Sequence, residues 1–374
     1  MRVLHVIGSL HPTRRSGGLE EATLRLCQGL AGQGVDVDLV ATGAERDVPF
    51  DRHVDVEGVR ARYFPRSLNI GYQPSVGLWR HLATEARQVD LVHITGMFTF
   101  PAAAATRAAQ RSGVPYVVSP SGMCRPWALA HRAWKKRPYY RLIERPSLEG
   151  AAGIHATSDV EGEELEALLP KQRVFVVPNA IAPPVAVKVT RVPDRVVFLG
   201  RLHPIKGLDR LVDAMSLVTE RLPRAELVIA GRDDAGLWPT LVERMSRARP
   251  RPKVSYVGVV TGEAKSRLLA SAAVLALTSY SESFGLVVAE ALAHGTPVVT
   301  SHECPWETVA RAGAGAWVPG DRHHIAEAIL DILETADDGT ARGRNALALA
   351  RSYRPEVVGS AMARVYEQIL SGRR

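Results

Sequence analysis

Short apolar runs alternate along this chain with longer segments whose apolar residues recur at helical spacing. In the first half, residues 3–7, 35–40, 91–94, 116–118, 153–156 and 174–177 read as strands, with a weaker one at 61–64. Between them, 19–33, 76–87, 102–111, 127–148 and 160–168 carry the helical period. The run Pro178-Asn179-Ala180-Ile181-Ala182-Pro183-Pro184 breaks all periodicity and reads as a linker. The pattern then restarts, with strands at 196–199, 226–230, 254–257, 274–277, 297–300 and 316–318. Helices fit from residue 208, at 285–293, 321–335 and 341–352, and after Pro355 through residue 370. Strand–helix alternation of this kind predicts an α/β fold built from parallel βαβ units. At 374 residues the chain exceeds what one core supports, so two domains are expected, 1–182 and 183–352.

Composition changes this picture little. A hydrophobic share of 46% is that of a globular protein. The three cysteines, Cys27, Cys124 and Cys304, are scattered and lack ligand spacing, which argues against a disulfide framework or a zinc site and fits a cytoplasmic setting. Met1-Arg2 leads straight into a strand-like run, so no secretory signal is read, and no apolar stretch is long enough to span a bilayer.

Charge changes it more. The net charge of +8 is concentrated between Arg125 and Arg145, where Arg132, Lys135, Lys136, Arg137 and Arg141 face one acid, Glu144. Trp127, Trp134, Tyr139, Tyr140, Leu142 and Ile143 are interleaved with them. A basic helix with aromatic neighbours suits a membrane surface or an anionic acceptor. A solvated structural helix is the competing reading. No nucleic-acid motif accompanies the patch, so nucleic acid is not expected as a partner.

The candidate chemistry lies in the second half. Glu282-Ser283-Phe284-Gly285-Leu286-Val287-Val288-Ala289-Glu290 places two carboxylates, separated by seven residues, across a helix start. Unpaired backbone N–H groups at such a terminus form an anion site. Upstream, the strand 196–199 runs into Gly200-Arg201-Leu202-His203-Pro204-Ile205-Lys206-Gly207. Arg201 would leave the carboxyl end of a strand, where open parallel sheets bind ligands. Arg201 and Lys206 would neutralise a diphosphate, one as a planar fork and the other as a point charge. In the first βα turn, Gly17 and Gly18 open a helix where backbone can approach a phosphate or sugar closely.

These two segments, with His294-Gly295-Thr296-Pro297-Val298-Val299 after them, resemble the signature motifs of the retaining glycosyltransferases of GT-B fold classed as family four, also called group 1. Val118 to Met123, Trp127-Ala128, Lys135-Lys136, His155 to Ser158, Pro305-Trp306 and residues 313–318 are similar to a subgroup found in exopolysaccharide and lipopolysaccharide synthesis. The resemblance implies two Rossmann-like domains with an interdomain cleft, the helix at 355–370 crossing back to the first. It implies a nucleoside diphosphate sugar donor, UDP- ahead of GDP-, with neither cofactor nor metal. It makes Arg201, Lys206 and Glu282 catalytic and gives Phe284, Gly285, Leu286 and Glu290 to the donor, with the Gly17-Gly18 loop closing on it. Glu282 would meet the donor sugar and Glu290 the ribose. His93, Ser119 and Arg125 fall on the acceptor side, with a satisfied core histidine as the competing reading of His93, and Thr95 stands where relatives carry a second histidine. The expected acceptor is a glycan or lipid-linked saccharide at the cytoplasmic face of the membrane. A soluble natural product such as an aminoglycoside, an epimerase of the same architecture, and a non-catalytic regulator stay open as alternatives.

Three further groupings are read as structural. Asp36-Val37-Asp38 copies a metal-binding Asp-x-Asp but lies in an alternating strand, as a solvated face. Asp233-Asp234 reads as a helix cap. His323-His324 reads as surface at a helix start.

Overall fold

The computed structural model describes residues 1–11, 17–43, 50–68, 70–130, 133–335 and 339–372. They form two compact units, Met1–Ala182 with Tyr353–Arg374, and Pro183–Ser352.

The first unit runs β1 (Arg2–Ser9), α1 (Gly18–Gly32), β2 (Asp36–Gly43), β3 (His53–Val56), β4 (Val59–Pro65), α2 (Val76–Glu85), β5 (Leu91–Thr95), α3 (Phe100–Ser112) and β6 (Tyr116–Ser119). It continues with α4 (Pro126–Ala130), α5 (Ala133–Tyr139), α6 (Arg145–Glu149), β7 (Gly153–Ala156), α7 (Asp159–Leu168) and β8 (Val174–Val176). The strands form one sheet in the order β3-β4-β2-β1-β5-β6-β7-β8. Only β3 runs antiparallel, against β4. β5 and β6 are buried along their whole length, as strands inside a sheet covered on both faces are. The C-terminal helix Pro355–Ser371 packs on α1. At their crossing a Cβ on Gly29 would lie 2.0 Å from the Pro355 carbonyl oxygen, so only glycine permits this approach.

The helix read over 127–148 is found as α4 and, from Ala133, as α5, which runs through a π-helical turn, Tyr140–Glu144, into α6. Pro138 lies inside α5, where it has no N–H to give, and the wider turn follows it. One expectation needs correction. Asp38 is not on a solvated face. It is buried and held by Arg2 at 3.0 Å and by Arg60. Burial alone would raise its carboxyl pKa, but the hydrogen bonds from Arg60 and Arg2 outweigh that and hold it below the usual range. β3 has no counterpart among the expected strands.

The second unit runs β9 (Arg195–Leu199), α8 (Leu208–Arg221), β10 (Glu226–Ala230), α9 (Trp238–Arg247), β11 (Lys253–Tyr256), α10 (Gly262–Ser271), β12 (Val274–Leu277) and α11 (Leu286–Ala293). β13 (Val298–Ser301), α12 (Glu307–Arg311), β14 (Gly315–Val318), α13 (Arg322–Glu334) and α14 (Gly339–Ala350) complete it. Its sheet is wholly parallel in the order β11-β10-β9-β12-β13-β14. This is the doubly wound order, and it reverses between β9 and β12. α9, α10 and α12 were not among the expected helices.

Candidate active site

The reversal between β9 and β12 places two loops side by side at the carboxyl edge of the second sheet. The loop after β9 carries Arg201 and Lys206, and the loop after β12 carries Glu282. Gly207 allows them to meet. Its φ is +63°, and a Cβ there would sit 2.0 Å from the Thr278 carbonyl oxygen. The Thr278 hydroxyl donates to the Gly207 carbonyl at 2.9 Å, and the Tyr280 N–H donates to the Ile205 carbonyl at 2.7 Å.

On this stitched pair of loops Lys206 ends a short 3-10 turn, Pro204–Lys206, and its ammonium bonds Oε2 of Glu282. The Lys206 and Glu282 side chains are only 18% and 12% exposed, so the pair is largely withdrawn from solvent. The Ser279 hydroxyl also donates to Glu282, at 3.3 Å. Arg201 is exposed just beyond β9.

The loop from Glu282 to α11 is held from behind by Trp306, which is buried. Its indole N–H donates to the Phe284 carbonyl, and the two rings pack with centroids 5.2 Å apart. The Ser301 hydroxyl donates to the Ser279 carbonyl at 2.9 Å. Gly285 then turns the chain with φ +81° into α11, as an N-cap residue with no side chain of its own to offer. Phe284 is therefore a buried strut, while Gly285 and Leu286 are half-buried at the helix mouth. Glu290 lies one turn further in, with Oε1 2.8 Å from the Lys265 ammonium of α10.

The first-unit residues fare differently. Gly17 is the extended N-cap of α1 and Gly18 its first residue, both exposed. Residues 12–16 of that loop lie outside the described residues. His93 has no exposed surface. Its Nδ1 is 2.5 Å from the Tyr366 hydroxyl of the C-terminal helix, and its ring stacks on His5 and meets His155 edge-on. Burial, then the neighbouring His5 and His155, hold its pKa well below the usual value. The expected acceptor contact is therefore corrected: His93 is a core residue. Ser119 is also buried, with its hydroxyl 3.1 Å from that of Ser121. Arg125 is bound to Glu164 at 3.0 Å.

Among the described residues no cluster of three or more His, Cys, Asp or Glu could hold a metal. Asp233 accepts from the backbone N–H groups of Leu237 and Trp238 as a cap at the start of α9. His323 and His324 likewise sit exposed at the start of α13, their N–H groups received by Asp321. Sequence reasoning quoted Pro305-Trp306 without a role and missed Lys265 altogether, because α10 itself carried too weak an apolar period to be read.

Residues 17–180 match the model of the glycosyl transferase 4-like domain, and residues 193–335 match that of the glycosyl transferases group 1. The chain belongs to the family-four glycosyltransferases of GT-B fold. This glycosyltransferase is 29% identical to a D-inositol 3-phosphate glycosyltransferase of Jonesia denitrificans, over 86% of this chain and 83% of that one. It is 26% identical to a GDP-mannose:cellobiosyl-diphosphopolyprenol alpha-mannosyltransferase of Xanthomonas campestris, over 87% and 85% respectively. The structure of Anabaena HepE in complex with UDP and glucose superposes with a TM-score of 0.73 at 18% identity, covering 98% of this chain and 100% of that one.

Proposed function

We propose that this glycosyltransferase moves a sugar from a nucleoside diphosphate sugar to a lipid-linked saccharide, with retention at the anomeric carbon and without a metal. The observation that carries the donor half is the Lys206–Glu282 contact at the ends of β9 and β12, beside the start of α11 at Gly285. In the transfer, the bond from the anomeric carbon to the diphosphate oxygen breaks and the bond to the acceptor oxygen forms on the same face. Lys206, Arg201 and the first N–H groups of α11 stabilise the negative charge that develops on the departing diphosphate. Glu282 accepts from hydroxyls of the donor sugar and Glu290 from those of the ribose. The acceptor proton passes to an oxygen of the leaving phosphate, so no enzyme base is assigned. UDP-sugars are the first donors to try, in keeping with the UDP bound to HepE, and GDP-sugars the second.

Support for a lipid-linked acceptor comes from the segment 126–149. Trp127, Trp134, Leu142 and Ile143 are exposed there, and so are Arg137 and Arg141. An apolar cavity of about 270 Å³ opens among Pro126, Leu129, Ala130 and Tyr140, with Lys136 and Arg137 on its wall. Arg132 and the side chain of Lys135 lie outside the described residues. An apolar hollow beside cations suits a polyprenyl or acyl chain with its phosphate. A diphosphopolyprenol also stands in the name of the Xanthomonas relative. The peripheral membrane position at the cytoplasmic face follows from this acceptor; among the described residues no helix is long and apolar enough to cross a membrane.

The test is incubation with UDP-glucose or GDP-mannose, with and without membrane lipid extract. Slow donor hydrolysis alone, and sugar incorporated into the organic phase with lipid, is the expected result. An isomerised donor, or no turnover of any nucleotide sugar, would overturn the reading.

A further inference from the structure

Glu290 stands on α11 with a side chain only 13% exposed. A carboxylate so far out of water needs a partner, or its charge is costly to keep. Lys265, on the first turn of α10, supplies it through one 2.8 Å bond to Oε1. This contact does more than neutralise. A glutamate side chain has three rotatable bonds, and anchoring one carboxylate oxygen fixes where the other points. Each carboxylate oxygen has two lone pairs. With one lone pair of Oε1 given to Lys265, the carboxylate keeps three sites for a pair of neighbouring hydroxyl donors. The bond from His294 Nδ1 to the Glu290 carbonyl, at 2.7 Å, lies on the main chain and leaves those sites open. Glu282 has the same kind of partner in Lys206, so each of the two glutamates is matched by a lysine.

We propose that Lys265 is a positioning residue that sets the Glu290 carboxylate to read the vicinal hydroxyls of a nucleotide ribose. This rests on the donor reading given under Proposed function. Lys265 acts through Glu290 and makes no contact of its own with the nucleotide. It therefore governs ribose recognition and leaves the hold on the diphosphate unchanged.

The experiment is calorimetric titration of the full chain with UDP, 2′-deoxy-UDP and 3′-deoxy-UDP, and with the guanosine series in parallel. The wild type should prefer the ribose form by about tenfold, the worth of a hydrogen bond to a charged group. Lys265→Ala should bind the ribose form about tenfold more weakly and the deoxy forms unchanged, so that the preference collapses. Lys265→Arg should restore it, and Glu290→Gln should weaken it without further loss in the double variant. Lys265→Gln, which keeps the packing of the stem, guards against a misfolded alanine variant. A preference that survives in folded Lys265→Gln overturns the proposal. So does an equal loss for ribose and deoxyribose forms, which would mean that Lys265 touches the phosphates or base. A wild type that binds none of these nucleotides fails the donor reading itself, and the positioning role falls with it.

Discussion

Lys206 and Glu282, 76 residues apart in sequence, form an ion pair where β9 and β12 end. The group expected to hold a diphosphate and the group expected to hold a sugar therefore touch each other. Removing the lysine removes both the cation and the anchor of the carboxylate. Lys206→Ala should lower turnover at least tenfold, about 1.4 kcal/mol or more of transition-state stabilisation. Steady-state rates with the best nucleotide sugar check this. Unchanged activity in a folded Arg201→Ala, Lys206→Ala double variant would refute the assignment.

In the proposed mechanism Arg201 and Lys206 take the place of a divalent ion. Turnover should persist in excess EDTA and should not rise when magnesium or manganese is added back. Loss in EDTA with recovery on adding metal would remove the electrostatic account given to Arg201 and Lys206.

Trp306 tests the backing of the loop. Trp306→Phe keeps the ring contact with Phe284 but deletes the N–H that its carbonyl receives. A stability loss of about 0.5–1.5 kcal/mol is expected for the lost hydrogen bond. Turnover should fall by more than the change in donor KM, because Glu282 loses its fixed place. Chemical denaturation and a kcat-against-KM comparison read the two effects separately.

Much of this site was legible beforehand. Arg201, Lys206, Glu282 and Glu290 could be placed because each sits at a junction where a buried apolar run ends and a helical period begins. The parallel strands of both sheets were legible for the same reason. What escaped depends on contacts between distant residues. Lys265 is an ordinary surface-type residue until α10 packs beside α11. His93 read as a strand-end polar group because nothing local announces Tyr366 from the far end of the chain. The π-helical turn at Tyr140–Glu144 was marked by Pro138, yet the continuous basic and aromatic pattern hid it.

The buried histidines predict an acid limit. Burial first, then His155, lowers His5 to about 3; burial lowers His155 to about 4. Unfolded, each titrates near the ordinary histidine value of 6.5. Between these values the unfolded chain binds more protons, so stability falls as pH drops below 6.5, by up to about 1.4 kcal/mol per pH unit for each histidine. Glu144 has the opposite sign. Burial raises it from 4.5 to about 7, so it subtracts stability as pH climbs through that window. Urea midpoints should therefore drop steeply from pH 6 to 4, and Glu144→Gln should stabilise the protein more at pH 8 than at pH 5. A flat wild-type profile between pH 4 and 6 would contradict the histidine account.

Vesicle flotation tests the segment 126–149. The wild type should float with anionic phosphatidylglycerol vesicles at low salt, less so at high salt, and not with neutral ones. Arg137→Glu with Arg141→Glu should release it, as both side chains are exposed and reversing them repels an anionic surface. Wild-type protein that stays off anionic vesicles at low salt would leave a soluble acceptor as the better assignment.

The packing of Pro355–Ser371 against α1 has a consequence for biosynthesis. Residues 183–352 form a contiguous unit, whereas the first unit needs a helix encoded after them. On the ribosome, the half made first must wait with its α1 groove uncovered until the final helix emerges, while the half made second can finish ahead of it. Nascent chains stalled before residue 355 should thus expose to chaperones the face of α1 around Gly29, which the helix covers at Pro355 and Gly359 in the finished molecule.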